Sequence, residues 1–303
     1  MIKKLVAIVL LVLLLWGAYI AYAILSSPPK FTARWGNVTE ATTEVVIQGE
    51  WSKPILLPVS MNNVTINFMG LTVARTERVK LSEKNALVIL GIDNHNLVRA
   101  LFDYLNNGQN GTAKISLNGS LLKVIPLKFS VKRNVHMDVL GKLNFTAESK
   151  PILGGLAYTP ALLSTKVRWG GEKGNRGILI ADMEFYNPNS FPIPVANLTF
   201  DLYANGIKIG TGYLPKSTVI PAEGYATITA VIELDENVLP KVWALHVKNG
   251  EESTVEVQIT LSTTILGKTV RVPLKTEKKV VKTNIMEGIN EALEELSKKL
   301  SRG

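Results

Sequence analysis

The chain has 303 residues, of which 46% are hydrophobic and 19% charged, enough for two ordinary domains with sizeable cores. Its formal net charge is +9, and no long polar tract indicates disorder. Cysteine is absent, which excludes disulfides, cysteine-bound zinc, iron–sulfur clusters and thiol nucleophiles.

The first segment is an uncharged hydrophobic run from Leu5 to Leu25. As a helix it would be about 31 Å long at about 1.5 Å per residue, which matches the hydrocarbon thickness of a bilayer. Trp16 and Tyr19 lie in its second half, where an interfacial aromatic belt is expected, and two prolines follow it. We therefore predict one N-terminal transmembrane anchor within residues 1–29.

Charge predicts the orientation of this anchor. Lys3 and Lys4 precede the run, which favours a cytoplasmic N-terminus and extracytoplasmic domains in a single-pass cell-membrane protein. Asn-x-Ser/Thr sequons, usable outside the cytoplasm, agree with this: Asn37, Asn63, Asn110, Asn118, Asn144 and Asn197. The alternative is a cleaved signal peptide, because Ala21-Tyr22-Ala23 has the small-x-small pattern of a cleavage site.

Short motifs recur in the same order in the two halves of the remaining chain. The matched pairs are Arg34-Trp35-Gly36 with Arg168-Trp169-Gly170, Met69-Gly70 with Asn205-Gly206, and Asn107-Gly108 with Asn249-Gly250. Because the order is kept, we predict two tandem copies of one unit, at residues 30–134 and 166–303. Residues 135–165 form the linker, with a short helix near 137–143.

Both copies are predicted to be mostly β, as antiparallel sandwiches. In the second copy, alternating apolar residues predict strands at 178–187, 198–202, 207–211, 226–234, 255–261 and 269–274. Helices are predicted at 96–106, at 238–247 with Asn237 as its cap, and at 283–300. We expect the last helix to pack its apolar stripe on the second sandwich, with a membrane or partner surface as the alternative.

An Asn-Pro-Asn motif in the second copy begins an ordered series of turn residues. The series is Asn187, Pro188, Asn189, Pro192, Pro194, Gly206, Pro221, Gly224, Asn249 and Gly250. It resembles the late embryogenesis abundant type 2 family, also called the water stress and hypersensitive response (WHy) domain, over roughly residues 166–300. The first copy has Trp51-Ser52-Lys53-Pro54 where Asn-Pro-Asn would stand, so we interpret it as a degenerate copy.

The resemblance implies an immunoglobulin- or fibronectin-III-like sandwich and an association with water stress. Members of the family bind or protect other macromolecules rather than catalyse a reaction. The motif also has local physical logic, because asparagine side chains bond the backbone of a turn while proline fixes φ. We therefore assign these residues a structural role, with no catalytic, cofactor or metal site.

The sequence contains no recognisable set of catalytic or metal-binding residues. His95, His136 and His246 lie far apart and form no zinc motif, and acidic residues form no close pair. The glycine-rich segment 170–174 lacks the phosphate-loop spacing and is interpreted as a hairpin. A basic stripe at 268–282 is interpreted as a solvated strand edge; aromatic residues are not interleaved with it, so nucleic acid is not an expected partner.

We expect a non-enzymatic, membrane-anchored stress protein without cofactors. It would protect envelope macromolecules during desiccation, osmotic shock or heat, with client proteins or lipids as partners. One alternative is a lipid-handling envelope protein, and another is a structural or adhesive cell-surface component. The sequence leaves the client, the ligand and the oligomeric state open.

Overall fold

The structure is a computed structural model that describes residues 14–16, 18–19, 22–23, 26, 29–54, 59–121, 125–265, 268–275 and 278–302. Most of these residues belong to two antiparallel sheets, so the mostly β fold is confirmed. The strands of the first sheet are β1 Lys30–Val38, β2 Thr42–Glu50, β3 Val59–Phe68, β4 Leu71–Leu81, β5 Asn85–Asp93, β6 Asn110–Leu121 and β7 Ile125–His136.

A two-stranded hairpin, β8 Pro151–Ile152 and β9 Ala157–Tyr158, precedes the second sheet. The strands of that sheet are β10 Ala161–Lys173, β11 Arg176–Tyr186, β12 Ile193–Ala204, β13 Ile207–Tyr213, β14 Thr218–Ile220, β15 Tyr225–Asp235, β16 Glu252–Ile265, β17 Lys268–Lys275 and β18 Lys279–Lys282. The helices are α1 Asn94–Asn106, α2 Leu239–Lys248 and α3 Ile285–Arg302.

The two sheets have the same strand order. The first runs β1-β2-β5-β4-β3-β6-β7, and the second runs β10-β11-β15-β13-β12-β16-β17, with β14 paired to β12 and β18 to β16. When these two short strands are left out, the second order repeats the first position by position. The matching turns also share a conformation, since Met69 and Asn205 have φ of 53° and 51° before their glycines.

Each sheet is one continuous hydrogen-bonded path that curls over its own core. The sequence instead predicted a sandwich of two separate facing sheets in each copy. Leu162 of β10 and Ile259 of β16 lie far apart along the path, yet they belong to the same buried cluster. The predicted alternation of the second sheet is confirmed, because Leu179 and Phe185 are buried on β11 while Glu184 between them is exposed. The inward face of alternating strands therefore supplies this core.

The helices begin near their predicted positions. Asp93 caps α1 by accepting a hydrogen bond from the Asn96 amide at 3.0 Å. A 3-10 turn, Glu236–Val238, precedes α2 and is capped by Asp235, which accepts from the Asn237 amide at 3.0 Å. The helix α2 itself begins after Val238 without a side-chain cap, so the assignment of the cap to Asn237 was wrong. The helix predicted near 137–143 is a single 3-10 turn, Leu140–Lys142.

The last helix packs on the first sheet, so the prediction that it packs on the second sandwich was wrong. Met286, Ile289 and Leu293 of α3 lie against the cluster that contains Ala33 and Val45. The physical reason is that the inner face of the second sheet is already covered by the segment that follows the first sheet, described below.

The predicted anchor lies partly outside the described residues, which exclude Leu5 and Leu25. Residues 14–16, 18–19, 22–23 and 26 are helical, and they include Trp16 and Tyr19. The Tyr19 hydroxyl donates to the Pro54 carbonyl at 3.0 Å, and the Lys53 ammonium lies 3.8 Å from the centre of the Tyr22 ring. Within the residues described here, no helix has the length and apolar character needed to cross a membrane.

Candidate functional site

The two sheets meet at a junction built from two reciprocal aromatic contacts. Trp35 of β1 meets Trp243 of α2 edge-on, with ring centres 6.1 Å apart and planes at 83°. Trp169 of β10 meets Phe102 of α1 with ring centres 5.2 Å apart. The tryptophan of the first strand of each sheet therefore packs on the helix that belongs to the other sheet.

The indole N–H groups also bond across the junction. Trp35 Nε1 donates to Glu251 Oε1 at 3.0 Å, and Trp169 Nε1 donates to Asn106 Oδ1 at the end of α1. Trp243 Nε1 donates to the hydroxyl of Thr43, a fully buried residue of β2, at 3.2 Å. The three tryptophans are half-buried, and their N–H groups find acceptors on the opposite side of the junction, so these bonds favour one arrangement of the two sheets.

Glu251 and Gln109 occupy matching positions beside this junction. Each follows an Asn-Gly pair and has a positive φ, 64° for Glu251 and 62° for Gln109. Glu251 accepts from the amides of Ile285 and Met286 at 2.6 and 2.9 Å, which are the first two residues of α3. Gln109 Oε1 accepts in the same way from the amides of Val139 and Leu140 at 2.6 and 3.1 Å.

The segments that start at these two side chains cross to the opposite sheet. Asn290 of α3 accepts from the Ala33 amide at 2.7 Å and donates to the Ala33 carbonyl at 3.0 Å, covering the edge strand β1. Asn144, after the 3-10 turn, accepts from the Thr165 amide of edge strand β10 at 2.9 Å. Each sheet is thus closed by a segment that follows the other sheet, an arrangement we call the reciprocal cross-over.

A buried polar cluster supports the α3 side of the junction. His246 bonds the Ser253 hydroxyl through Nδ1 and the Thr283 hydroxyl through Nε2, both at 2.9 Å. Burial lowers the pKa of His246, and the nearby Glu251 carboxylate opposes this shift. Burial alone would raise the pKa of Glu251, but its bonds from Met286, Ile285, Thr283 and Trp35 outweigh burial and lower it.

The same cluster brings hydroxyls, an imidazole and a carboxylate together, as in nucleophilic catalysis. However, Ser253 is 8% exposed and His246 7%, and the Ser253 hydroxyl already faces the side-chain amide of Asn205 at 3.1 Å. Both nitrogens of the His246 imidazole are hydrogen-bonded, so the cluster is suited to a structural role. Across the described ranges, no group of three or more His, Cys, Asp or Glu residues could hold a metal ion.

The Asn-Pro-Asn loop lies at the opposite end of the second sheet. Asn187 is fully buried, and its amide nitrogen donates to the carbonyls of Phe191 at 2.8 Å and Pro221 at 3.0 Å. Its own backbone amide donates to the Gly224 carbonyl at 2.9 Å. One side chain therefore joins the loop after β11 to the loop before β15.

Asn189 extends this network to the hairpin β8–β9. Its side chain accepts from the Tyr158 amide and donates to the Tyr158 carbonyl, both at 2.8 Å, as a neighbouring strand would. It also donates to Asn187 Oδ1 at 2.7 Å. The role of Tyr158 was not predicted from the sequence, because backbone acceptors carry no sequence signal.

The remaining motif residues divide between the two ends of the sheet. Pro188, Pro192, Pro194, Pro221 and Gly224 lie at the Asn-Pro-Asn end, whereas Gly206, Asn249 and Gly250 lie at the junction end. The junction role of Trp243, Glu251 and Gln109 was not predicted from the sequence. The available signal was that Gln109 and Glu251 follow the two recurring Asn-Gly pairs directly.

Comparison with known proteins gives one family match. Residues 182–278, from β11 to just beyond β17, match the model of the family described as late embryogenesis abundant protein. No curated protein matches the chain.

Two solved structures are similar to part of the chain. A crystal structure of a protein from Archaeoglobus fulgidus is 23% identical over 41% of this chain and 98% of its own, with a TM-score of 0.36. A solution structure of a protein from Arabidopsis thaliana is 18% identical over 41% of this chain and 80% of its own, with a TM-score of 0.31.

Proposed function

We propose that this chain is a membrane-anchored, non-catalytic late embryogenesis abundant type 2 protein. It holds two tandem WHy-like units outside the cell membrane, where they protect envelope macromolecules during desiccation, osmotic shock or heat. The observation that carries the proposal is the family match over residues 182–278, which contains the buried Asn187–Asn189 network. The shared strand order and the reciprocal cross-over support a duplicated unit.

Exposed apolar side chains near the N-terminus support the anchor. Leu14 is 71% exposed and Leu15 63% exposed, and Tyr22 is 60% exposed. A cluster of large exposed apolar side chains is costly in water and is expected where hydrocarbon surrounds the helix. The contact of Tyr19 with Pro54 would hold the first sheet close to the membrane surface.

The core of the second sheet gives the lipid-handling alternative no support. A cavity in the core of the second sheet, lined by residues such as Phe145, Phe200 and Ile259, encloses about 30 Å³. That space is enough for about one water molecule, far below the volume of an acyl chain.

Protease protection of intact cells, combined with N-terminal sequencing, tests the anchor. We expect an uncleaved N-terminus and complete digestion of the two sheets from outside. A digestion-resistant body in intact cells would contradict the proposed orientation, and a mature N-terminus after Ala23 would show a cleaved signal peptide.

Drying of a sensitive client enzyme tests protection. The full-length protein in nanodiscs is dried with the enzyme, and empty nanodiscs of the same composition serve as the control. We expect more residual activity with the protein, and cells that lack it should survive drying less well. Equal residual activity and equal survival would refute the protective role.

A further inference from the structure

The outer face of the first sheet carries an unusual excess of basic side chains. Strands β4, β3, β6 and β7 lie side by side, and the acidic residue among them is Glu77. The outer face of the same strands carries six exposed basic residues, which we call the basic face: Arg75, Arg78, Lys80, Lys114, Lys128 and Lys132.

Strand register places these residues on the side away from the core. Val64 and Ile66 of β3 pack towards the core, so Thr65 between them points outward, and Arg75 is its partner on β4. Lys114 is the direct partner of Lys132. Like charges directly opposite one another on neighbouring strands destabilise a sheet, so this pairing has a cost that folding alone does not explain.

The basic face is not neutralised by the protein itself. Within the part of the chain that the structure describes, none of its six members joins an ion pair. Hydroxyl and amide groups lie between them instead, including Ser116, Asn118 and Ser130. Cations interleaved with small hydrogen-bond donors are suited to phosphate oxygens.

The matching face of the second sheet shows that the topology does not require this excess. There Lys208 pairs with Asp201 at 2.7 Å, and Lys278 pairs with Glu256 at 2.9 Å. Lys282 pairs with Glu252 as well. Arg271 of β17 is exposed and joins no ion pair in the described part of the chain, but the acidic residues of β12 and β16 balance much of the basic charge on this face. Two sheets with one strand order therefore differ in charge on the same face, and the more basic one follows the hydrophobic N-terminal segment.

We propose that the basic face docks on the anionic phospholipid headgroups of the membrane that holds the chain; this rests on the anchor of the proposed function. The face spans four strands, about 14 Å at about 4.8 Å per strand, which is wide enough to contact several headgroups. A tether keeps the bilayer at high local concentration. Phe, Tyr and Trp are absent from its described outward positions, which disfavours the base stacking that single-stranded nucleic acids require.

The absence of cysteine provides a clean test, because one introduced thiol reports one position. Ser116→Cys places a fluorophore on the basic face, and Thr260→Cys places it at the matching, equally half-buried position of the second sheet. Each full-length variant is reconstituted in nanodiscs of phosphatidylcholine with or without phosphatidylglycerol. A nitroxide quencher on the lipid headgroups then measures proximity.

We expect phosphatidylglycerol to increase quenching at position 116 at least about twofold and to leave position 260 unchanged. The increase should vanish at 1 M salt, where the Debye length is about 3 Å. Combined reversal of Lys114, Lys128 and Lys132 to Glu should abolish it, whereas reversal of Lys208 and Lys278 to Glu should not. Circular dichroism confirms that both reversed variants are folded.

Equal quenching at position 116 with and without phosphatidylglycerol would overturn the proposal, as would equal responses at the two positions. Salt-sensitive binding of a labelled oligonucleotide, without any response to phosphatidylglycerol, would overturn it in favour of nucleic acid. Failure of the anchor is distinguishable: the protein would not stay with neutral nanodiscs, yet it should still float with phosphatidylglycerol vesicles through the basic face.

Discussion

Replacement of Glu251 tests the most concentrated set of bonds at the junction. The carboxylate is 6% exposed and accepts four hydrogen bonds, from the indole of Trp35, the hydroxyl of Thr283 and the amides of Ile285 and Met286. Glu251→Ala leaves four donors without this acceptor. A bond to a charged group contributes about 1.5–3 kcal/mol, and neighbouring bonds are not additive. We expect the free energy of unfolding to fall by about 3–5 kcal/mol.

Glu251→Gln provides a graded comparison. Gln109 at the matching position holds two backbone amides with one side-chain oxygen, so glutamine should retain the bonds to α3. It loses the charge and one acceptor, and we expect a cost of about 1–2 kcal/mol. Glu252→Ala is the surface control, because its ion pair with Lys282 is exposed and should contribute less than about 1 kcal/mol.

Urea unfolding of the full-length protein in detergent, followed by circular dichroism and tryptophan fluorescence, measures these differences. Hydrogen exchange adds a local measurement, since the amides of Ile285 and Met286 should lose protection in Glu251→Ala. If the alanine variant unfolds at the urea concentration of the wild type, the carboxylate does not hold the junction. If exchange at Ile285 is unchanged, α3 begins independently of Glu251.

Three further substitutions test other parts of the structure. Gly177→Ala would place a Cβ 2.6 Å from the Trp169 ring, so calorimetry should show lower stability by about 1–3 kcal/mol, while Gly288→Ala, where space is open, should not. Because the pKa of His246 is lowered from 6.5, the unfolded chain binds more protons below that pH. Stability should therefore fall as pH decreases through about 6.5, less so in His246→Gln, and a slope equal to the wild type would contradict this. Asn187→Ala removes the donor to Phe191 and Pro221 and should lower the free energy of unfolding by about 2–4 kcal/mol, more than Asn197→Ala on the surface.

Much of the fold is encoded locally and was predicted. The alternation from Leu179 to Phe185 is a property of one strand, because period-two burial needs no knowledge of the neighbours. The Asn205-Gly206 turn has positive φ at both residues, which its dipeptide indicates. The cap of α1 at Asp93 belongs to the same class of local signal.

The destination of α3 was not predictable in this way. Its apolar stripe specifies that one face is buried, but the stripe is equally compatible with either sheet. The choice depends on Asn290 meeting the edge of β1 at Ala33 and on Glu251 fixing the first turn. Both contacts join residues that are distant in sequence, and neither has a local signature. The junction escaped prediction for the same reason.

The reciprocal cross-over bears on how the protein is made. The bonds between Asn290 and Ala33 span 257 positions, so the first sheet is completed only after Asn290 has left the ribosome. Contacts of such high sequence separation slow folding and leave partly formed sheets exposed. Until then the β1 edge presents free backbone groups to other nascent chains. The helix α3 therefore completes the first sheet late in synthesis, and chains truncated before Asn290 should be preferred targets of chaperones and proteases.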